Sequence, residues 1–291
     1  MRRSFVMTVW LLGASVLSAD AQSLVGNART VLAAVVNAQG QPVVDVSLDD
    51  FVVSEGTADR EVLDVHVADY PLAIVLDDRG PLQGALPAVR AAARRFIQRV
   101  GERPVALFRL TEATTPLTTL DDDRATVLTR LDAVTASGTR AAAPLDTIAH
   151  AATMLAESGT PFSAVVVIAA GTVDATALVR GELLPRILES GAAVHVVQAQ
   201  PPEPEAAPDP EPPSDQAPVE SDLLRVIADQ SHGQFTAIFS TVSFTAALDR
   251  LADRLAIEMM VQYLAPAGPR AGDVRVGVRM PGARVIGLGV K

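Results

Sequence analysis

From residue 71 onward, short uninterrupted apolar runs alternate with stretches whose apolar residues recur at helical spacing. Apolar runs that end in charged or turn residues are typical of strands buried on both faces of a sheet. Helices between such strands indicate parallel connections, so the pattern predicts an α/β fold with a doubly wound, mostly parallel, Rossmann-like sheet. The predicted strands are residues 72–76, 105–110, 164–168 and 194–197, and 164–168, the most hydrophobic, is expected to be central.

Amphipathic helices are predicted between these strands and after them. In residues 86–100 the apolar positions follow helical spacing, and the arginines lie off that face. Three consecutive carboxylates, Asp121-Asp122-Asp123, precede the next helix; they resemble a metal cluster, but before a helix they are typical of capping and dipole partners. Further helices are predicted over residues 144–155, 178–188, 223–230 and 244–257.

The segments on either side of this alternation show no helical period and predict a small β element. Strand-like runs in the N-terminal segment include residues 43–46. In the C-terminal segment, residues 259–264 and 274–280 are separated by a Pro- and Gly-rich connection of hairpin type. The predicted units are a signal peptide over 1–21, an N-terminal β segment over 22–69, an α/β domain over 70–258, and a C-terminal β hairpin with further strands over 259–291.

Residues 201–221 interrupt the alternation with eight prolines, six acidic residues and no basic one. Such a composition cannot bury enough apolar surface to fold, so this insertion is expected to be disordered and solvated. A passive spacer and a docking peptide both remain open interpretations of the segment.

The first residues have the organisation of an export signal. Arg2 and Arg3 precede an apolar run over residues 5–17, and Ala19-Asp20-Ala21 forms a small-x-small cleavage motif. We expect cleavage before Gln22 and export to the periplasm or the medium, without a membrane anchor after cleavage. An uncleaved anchor is the alternative, although the run is short for a membrane span. The chain contains no cysteine, so neither a disulfide nor a lipoprotein anchor can form.

The composition argues against several classes of partner and chemistry. A net charge of -10 repels phosphate backbones, so nucleic acid is not an expected partner, and anionic lipid gains no attraction. The four histidines lack metal-ligand spacing, and the chain has no nucleophile elbow, phosphate-binding loop or dinucleotide fingerprint. We therefore predict that the chain is not an enzyme.

Two sequence stretches resemble a known family. Residues 43–55, with Leu48, Asp50-Phe51 and the following Glu55-Gly56, resemble the opening strands of an exported bacterial branch of the von Willebrand factor A family. The run Gln262-Tyr263-Leu264 and the strands after it resemble the closing sheet of that branch. The resemblance covers nearly the whole mature chain, and it implies a protein-interaction module.

The family pattern also implies a divalent cation, usually magnesium, at the carboxyl edge of the parallel strands. Its first motif, D-x-S-x-S, matches Asp77, Arg79 and Pro81, so both hydroxyls are missing. The threonine of the second loop matches Thr139, whereas Ala170 stands where the family has an aspartate before glycine. The motif is degenerate, and we expect no cofactor.

The family pattern leaves two directions open for the Arg79 side chain. Arg79 either pairs with Asp77, Asp78 or both, in place of the ion, or points into water.

The favoured function is a metal-independent, extracytoplasmic protein-binding module that uses the face around Asp77, Asp78, Arg79 and Thr139. The alternatives are a cation-dependent adhesion module with other ligands, such as Asp78 and Asp174, and a hydrolase with an unrecognised site.

Overall fold

The computed structural model describes residues 27–43, 45–79, 84–111, 115–137, 144–170, 177–200, 223–268 and 272–290. Within them the strands are β1 (Asn27–Asn37), β2 (Phe51–Glu55), β3 (Ala58–Arg60), β4 (Val62–Val67), β5 (Leu72–Leu76), β6 (Val105–Arg109), β7 (Ala164–Ala170), β8 (Ala193–Ala199), β9 (Phe235–Ile238), β10 (Glu258–Ala265), β11 (Val274–Val278) and β12 (Ala283–Val290). The helices are α1 (Leu86–Arg99), α2 (Arg124–Asp132), α3 (Pro144–Glu157), α4 (Ala177–Glu189), α5 (Leu223–Gln230) and α6 (Ser243–Ala256).

Five parallel strands form the central sheet, in the order β6-β5-β7-β8-β9. The predicted α/β class is therefore confirmed, and β7 occupies the middle position that its hydrophobicity indicated. The fifth strand, β9, was not predicted. It has four residues, only one of which is buried, so it lacks the continuous apolar run that marks the other four.

Helices cover both faces of this sheet, as a doubly wound fold requires. Alternate residues of β5 point into two separate cores. Leu72, Ile74 and Leu76 pack with α1, α2 and α6, whereas Ala73 and Val75 pack with α3, α4 and α5. Because both faces are buried, the strands can be apolar throughout, which explains their signal in the sequence.

The remaining strands form two antiparallel sheets, in the orders β12-β1-β10-β4 and β11-β2-β3. The predicted hairpin between residues 259–264 and 274–280 is wrong. β10 pairs with β1 and β4, whereas β11 pairs with β2 in the other sheet. The described residues of the predicted strand 43–46, which are 43, 45 and 46, are also not in a strand; an isolated bridge joins Val36 to Pro42 nearby.

A buried polar cluster joins the antiparallel part to the parallel sheet. The Tyr70 hydroxyl, just before β5, donates a hydrogen bond to Glu258 at the start of β10. The Arg103 guanidinium stacks 4.2 Å from the centre of the Tyr70 ring, and its Nη2 lies 3.9 Å from Glu258. Burial raises the pKa of Glu258, although the Tyr70 hydrogen bond and Arg103 both oppose that rise.

The predicted cap of α2 is present. Asp123 is the N-cap residue, and its side chain accepts a hydrogen bond of 2.6 Å from the Thr126 amide. Asp122 stabilises the preceding turn, because its carboxylate accepts a hydrogen bond of 2.7 Å from the Thr119 amide. Two of the three consecutive aspartates therefore have local structural roles.

The predicted signal sequence and the Pro-rich insertion lie outside the described residues. No helix in the described part of the chain is both long and apolar enough to cross a membrane.

Candidate functional site

The carboxyl edge of the parallel sheet has a topological switch point beside β5. From β5 the chain crosses to β6 on one side, and it later returns to β7 on the other side. In open α/β sheets, ligands bind in the crevice outside the strand ends at such a point. Asp77 and Asp78 are the first residues after β5, so both carboxylates lie where this crevice forms.

Asp77 is fully buried, and its carboxylate is bound by Arg79 at two points. Arg79 Nε lies 2.8 Å from Oδ1, and Nη2 lies 2.7 Å from Oδ2. The Arg79 backbone amide also donates to Oδ1, at 3.1 Å. Only 15% of the Arg79 side chain is exposed, so the guanidinium does not extend into water. Of the two predicted orientations, the structure has the paired one.

Asp78 is fully buried as well and turns toward β6. The Thr111 hydroxyl lies 2.8 Å from Oδ1 and 2.7 Å from Oδ2, and the Thr111 amide donates to Oδ1 at 3.3 Å. Arg109 Nη1 lies 4.0 Å from Oδ2. The Asp78 carbonyl accepts a hydrogen bond of 2.7 Å from the Ser137 amide, which brings the loop after α2 to this site.

The described part of this site does not fit a magnesium ion. Magnesium requires near-octahedral oxygen ligation at about 2.0–2.1 Å, with one or two carboxylates among its ligands. Here a guanidinium occupies both oxygens of Asp77, and a hydroxyl contacts both oxygens of Asp78. A fixed positive charge in this position also repels a divalent cation. Among the described residues, no group of three or more acidic or histidine side chains could hold a metal ion.

The structure brings three of the four predicted face residues together: Asp77, Asp78 and Arg79. Thr139 lies outside the described residues, as do Pro81 and Asp174, and Ala170 is described only by its place at the end of β7. Arg109 and Thr111 belong to the site but were missed by sequence reasoning. Their signal was their position at the end of a buried run, because Arg109 is the last residue of β6 and Thr111 follows it closely, at the same edge as Asp77.

The same edge carries two exposed apolar side chains at its far end. Phe239 directly follows β9 and is 70% exposed, and Val242 directly precedes α6 and is 78% exposed. β9 is three strands away from β5, so these residues lie roughly 14 Å along the edge from Asp77 at a spacing of about 4.8 Å per strand. They were missed because β9 itself was not predicted.

The described histidines are placed apart from this edge cluster. His195 is buried in β8, and its Nδ1 has no hydrogen-bond partner among the described residues. Burial lowers its pKa to about 3, with a smaller contribution from Arg254, so the ring is neutral at physiological pH. His66 contacts Asp64 on the exposed strand β4, and His150 packs edge-on against Phe108.

A doubly wound parallel sheet, with an acidic switch point at its carboxyl edge and antiparallel strands packed beside it, defines a fold of the von Willebrand factor A type. A solved von Willebrand factor type A structure from Catenulispora acidiphila matches it with a TM-score of 0.50 and 12% sequence identity, covering 93% of this chain and 74% of that chain. This match shows the fold, and at this identity it shows nothing more.

Two shorter bacterial structures are also similar, at lower TM-scores. BatB from Bacteroides thetaiotaomicron has 15% identity and a TM-score of 0.42, covering 64% of this chain and 98% of its own. An aerotolerance-related membrane protein from Bacteroides fragilis has 16% identity and a TM-score of 0.43, covering 64% and 99%. No protein-family model and no curated protein sequence matches the chain.

Proposed function

We propose that this chain is a non-catalytic, extracytoplasmic protein-interaction module of the von Willebrand factor A type that binds its partner without a metal ion. The observation that carries the proposal is the two-point contact between Arg79 and Asp77. It supports metal independence, because the buried carboxylate at the switch point already has a cationic partner that is part of the chain.

The apolar end of the carboxyl edge supports protein binding. Large exposed apolar side chains are frequent anchors of protein interfaces, and aromatic ones are enriched among the residues that dominate binding energy. Phe239 and Val242 lie on the same edge as the Asp77–Arg79 pair. The proposed face therefore combines an apolar anchor with a polar, internally paired section, and its occupant is a protein with an apolar patch of matching size.

A non-catalytic role is supported by how the polar side chains of the described site are used. Asp77 and Asp78 each bind donors of the chain itself, and no described histidine lies in this cluster to act as a base. Export is supported by the basic start, the apolar run and the cleavage motif of residues 1–21.

The test is affinity capture from a cell-envelope extract by the immobilised mature chain, beginning at Gln22, in parallel with two variants. Phe239→Ser with Val242→Ser removes the proposed anchor. Leu63→Ser with Val67→Ser is the matched control, because those β4 side chains are also exposed, by 41% and 62%. We expect the first variant to lose the captured protein and the control to retain it.

Metal dependence is tested in the same experiment by adding a chelator. The proposal requires equal capture with and without the chelator. Capture that disappears with the chelator and returns with magnesium would establish the cation-dependent alternative instead. Loss of capture in the β4 variant alone would move the binding surface to the antiparallel sheet.

A further inference from the structure

A groove lies at the opposite, amino edge of the parallel sheet, where this edge meets β10. Its volume of about 970 Å³ is at the upper end of the roughly 300–1,000 Å³ that is typical of ligand pockets. Its walls come from the segments that lead into β5, β6 and β7, from residues 116–121 between β6 and α2, from α3 and from β10. The groove is therefore distant from the carboxyl edge and independent of the face proposed above.

The floor of the groove is apolar and partly rigid. Tyr70 and Met260 are buried beneath it, and Leu120 and Met154 are half-buried in its walls. Methionine side chains adapt their shape readily, so they suit a surface that accepts an extended chain. Prolines fix the backbone where the walls enter three neighbouring strands; they are Pro71, Pro104 and Pro161.

The rim of the groove is acidic. Asp69, Glu102, Asp121 and Glu157 line it, all four are exposed, and the lining includes no lysine or arginine among the described residues. Carboxylates around a concave apolar surface concentrate a negative potential inside it, because the low-dielectric walls focus the field. Asp121 is the one member of the three consecutive aspartates that neither caps α2 nor serves the preceding turn.

The arginines behind the rim are held away from the groove. Arg124, which lies close enough to Glu102 to feel its charge, donates to the carbonyls of Ile97, Gly101 and Arg103. Arg103 is buried against the Tyr70 ring and near Glu258. The hydrogen bonds of Arg124 and the contacts of Arg103 go to these structural partners and not to the rim carboxylates, which can therefore bind a ligand.

We propose that this groove binds an extended basic segment of a partner protein, with arginine or lysine side chains flanked by apolar ones. The four carboxylates belong to four separate parts of the chain around the groove, so several cationic groups spaced along one ligand can pair with them. The apolar floor requires apolar side chains between those cations, and a small polyamine would leave it uncovered.

The test is fluorescence polarisation with the mature chain and a short fluorescein-labelled peptide of alternating leucine and arginine. Asp121→Asn with Glu157→Gln should weaken binding by about tenfold, as expected for two exposed ion pairs. Asp59→Asn with Asp229→Asn is the charge-matched control, because both residues are exposed and lie outside the groove. The control should bind like the unmodified chain.

Two further measurements keep the proposal falsifiable if a variant folds poorly. Amide chemical shifts of the unmodified chain should move at Tyr70, Met154 and Met260 when the peptide is added, and shifts confined to other surfaces would overturn the site.

Spermidine should displace the peptide only weakly, and displacement with equal affinity would make the ligand a small polycation. Equal weakening in the control variant would reduce the binding to an effect of net charge, and a peptide that fails to bind would also overturn the proposal.

Discussion

Arg79 and Asp77 lie two residues apart at the end of a buried strand, and the guanidinium of one contacts both carboxylate oxygens of the other, at 2.8 and 2.7 Å. A carboxylate in this position is costly unless a donor or a cation meets it. The planar fork of arginine provides two parallel donors and a permanent charge, which matches the geometry of a carboxylate. The pair is therefore expected to stabilise the switch point.

Arg79→Ala should destabilise the chain by about 1–3 kcal/mol, because the buried carboxylate of Asp77 loses the guanidinium that contacts both of its oxygens. Urea unfolding measures this difference. Arg79→Lys should recover only part of it, since an ammonium cannot make the two-point contact. Arg250→Ala, at an exposed position of α6, is the control and should have little effect. Equal stability of the Arg79 and Arg250 variants would mean that the pair contributes nothing.

Thr111→Val should also destabilise the chain by about 1–3 kcal/mol, because Asp78 is fully buried and loses the hydroxyl that contacts both of its oxygens. Thr111→Ser retains the hydroxyl and should restore most of the stability. Both values come from the same urea titration. A Val variant as stable as the Ser variant would show that the amide of residue 111 and Arg109 suffice for Asp78.

Tyr70→Phe should destabilise the chain more at alkaline than at acidic pH. Burial raises the pKa of Glu258 above its ordinary value of 4.5, and the Tyr70 hydrogen bond limits that rise. A carboxyl whose pKa is raised in the folded state stabilises the fold at low pH and loses this contribution as the pH rises through the folded pKa. Removing the Tyr70 hydroxyl raises that pKa further, so the free energy of unfolding falls by more as the pH rises. The variant keeps the ring against Arg103.

This pH dependence is tested by measuring the free energy of unfolding of the unmodified chain and of Tyr70→Phe at about pH 5 and about pH 8. The difference between the two chains should be larger at the higher pH, where the folded state must hold an ionised Glu258 without its hydroxyl donor. The same difference at both values would show that Glu258 does not change its protonation in this range.

Gly233→Ala should be strongly destabilising, whereas Gly181→Ala should not. A Cβ at Gly233 would lie 1.8 Å from the carbonyl oxygen of Val194, so the backbone of β8 would have to move. A Cβ at Gly181, within α4, meets nothing within 4 Å. We expect a loss of about 3 kcal/mol or more at the first site and a gain of roughly 0.5–1 kcal/mol at the second. Thermal unfolding measures both, and similar melting temperatures would contradict the close approach.

The sequence was sufficient for the parts of the fold that local pattern controls. Continuous apolar runs predict β5 to β8, because both faces of a parallel sheet are buried, and helical spacing predicts the helices between them. The partners of β10 and β11 could not be predicted in this way. A short connection favours a hairpin locally, but pairing with β1 and β2, far away in the chain, prevails in the fold.

The candidate site was predictable to a similar degree. Asp77 and Arg79 were found because they match the first motif of the family that the chain resembles, with Asp78 between them, and their spacing left the direction of Arg79 open. Its pairing depends on the burial of Asp77, which follows from the packing of the whole sheet edge. Phe239 and Val242 could not be assigned to this edge, because a strand as short and half-exposed as β9 gives no periodic signal.

The combined change Arg79→Ser, Pro81→Ser and Ala170→Asp should create a magnesium site, because it removes the guanidinium and restores the oxygen-bearing side chains of the family pattern. Isothermal calorimetry should show magnesium binding to this variant and none to the unmodified chain, in which Arg79 engages both oxygens of Asp77. Arg79→Ala alone is the control and should neither bind magnesium nor regain stability when it is added. Magnesium binding by the unmodified chain with micromolar affinity that is lost in Asp77→Asn would refute the role of Arg79 as the resident cation.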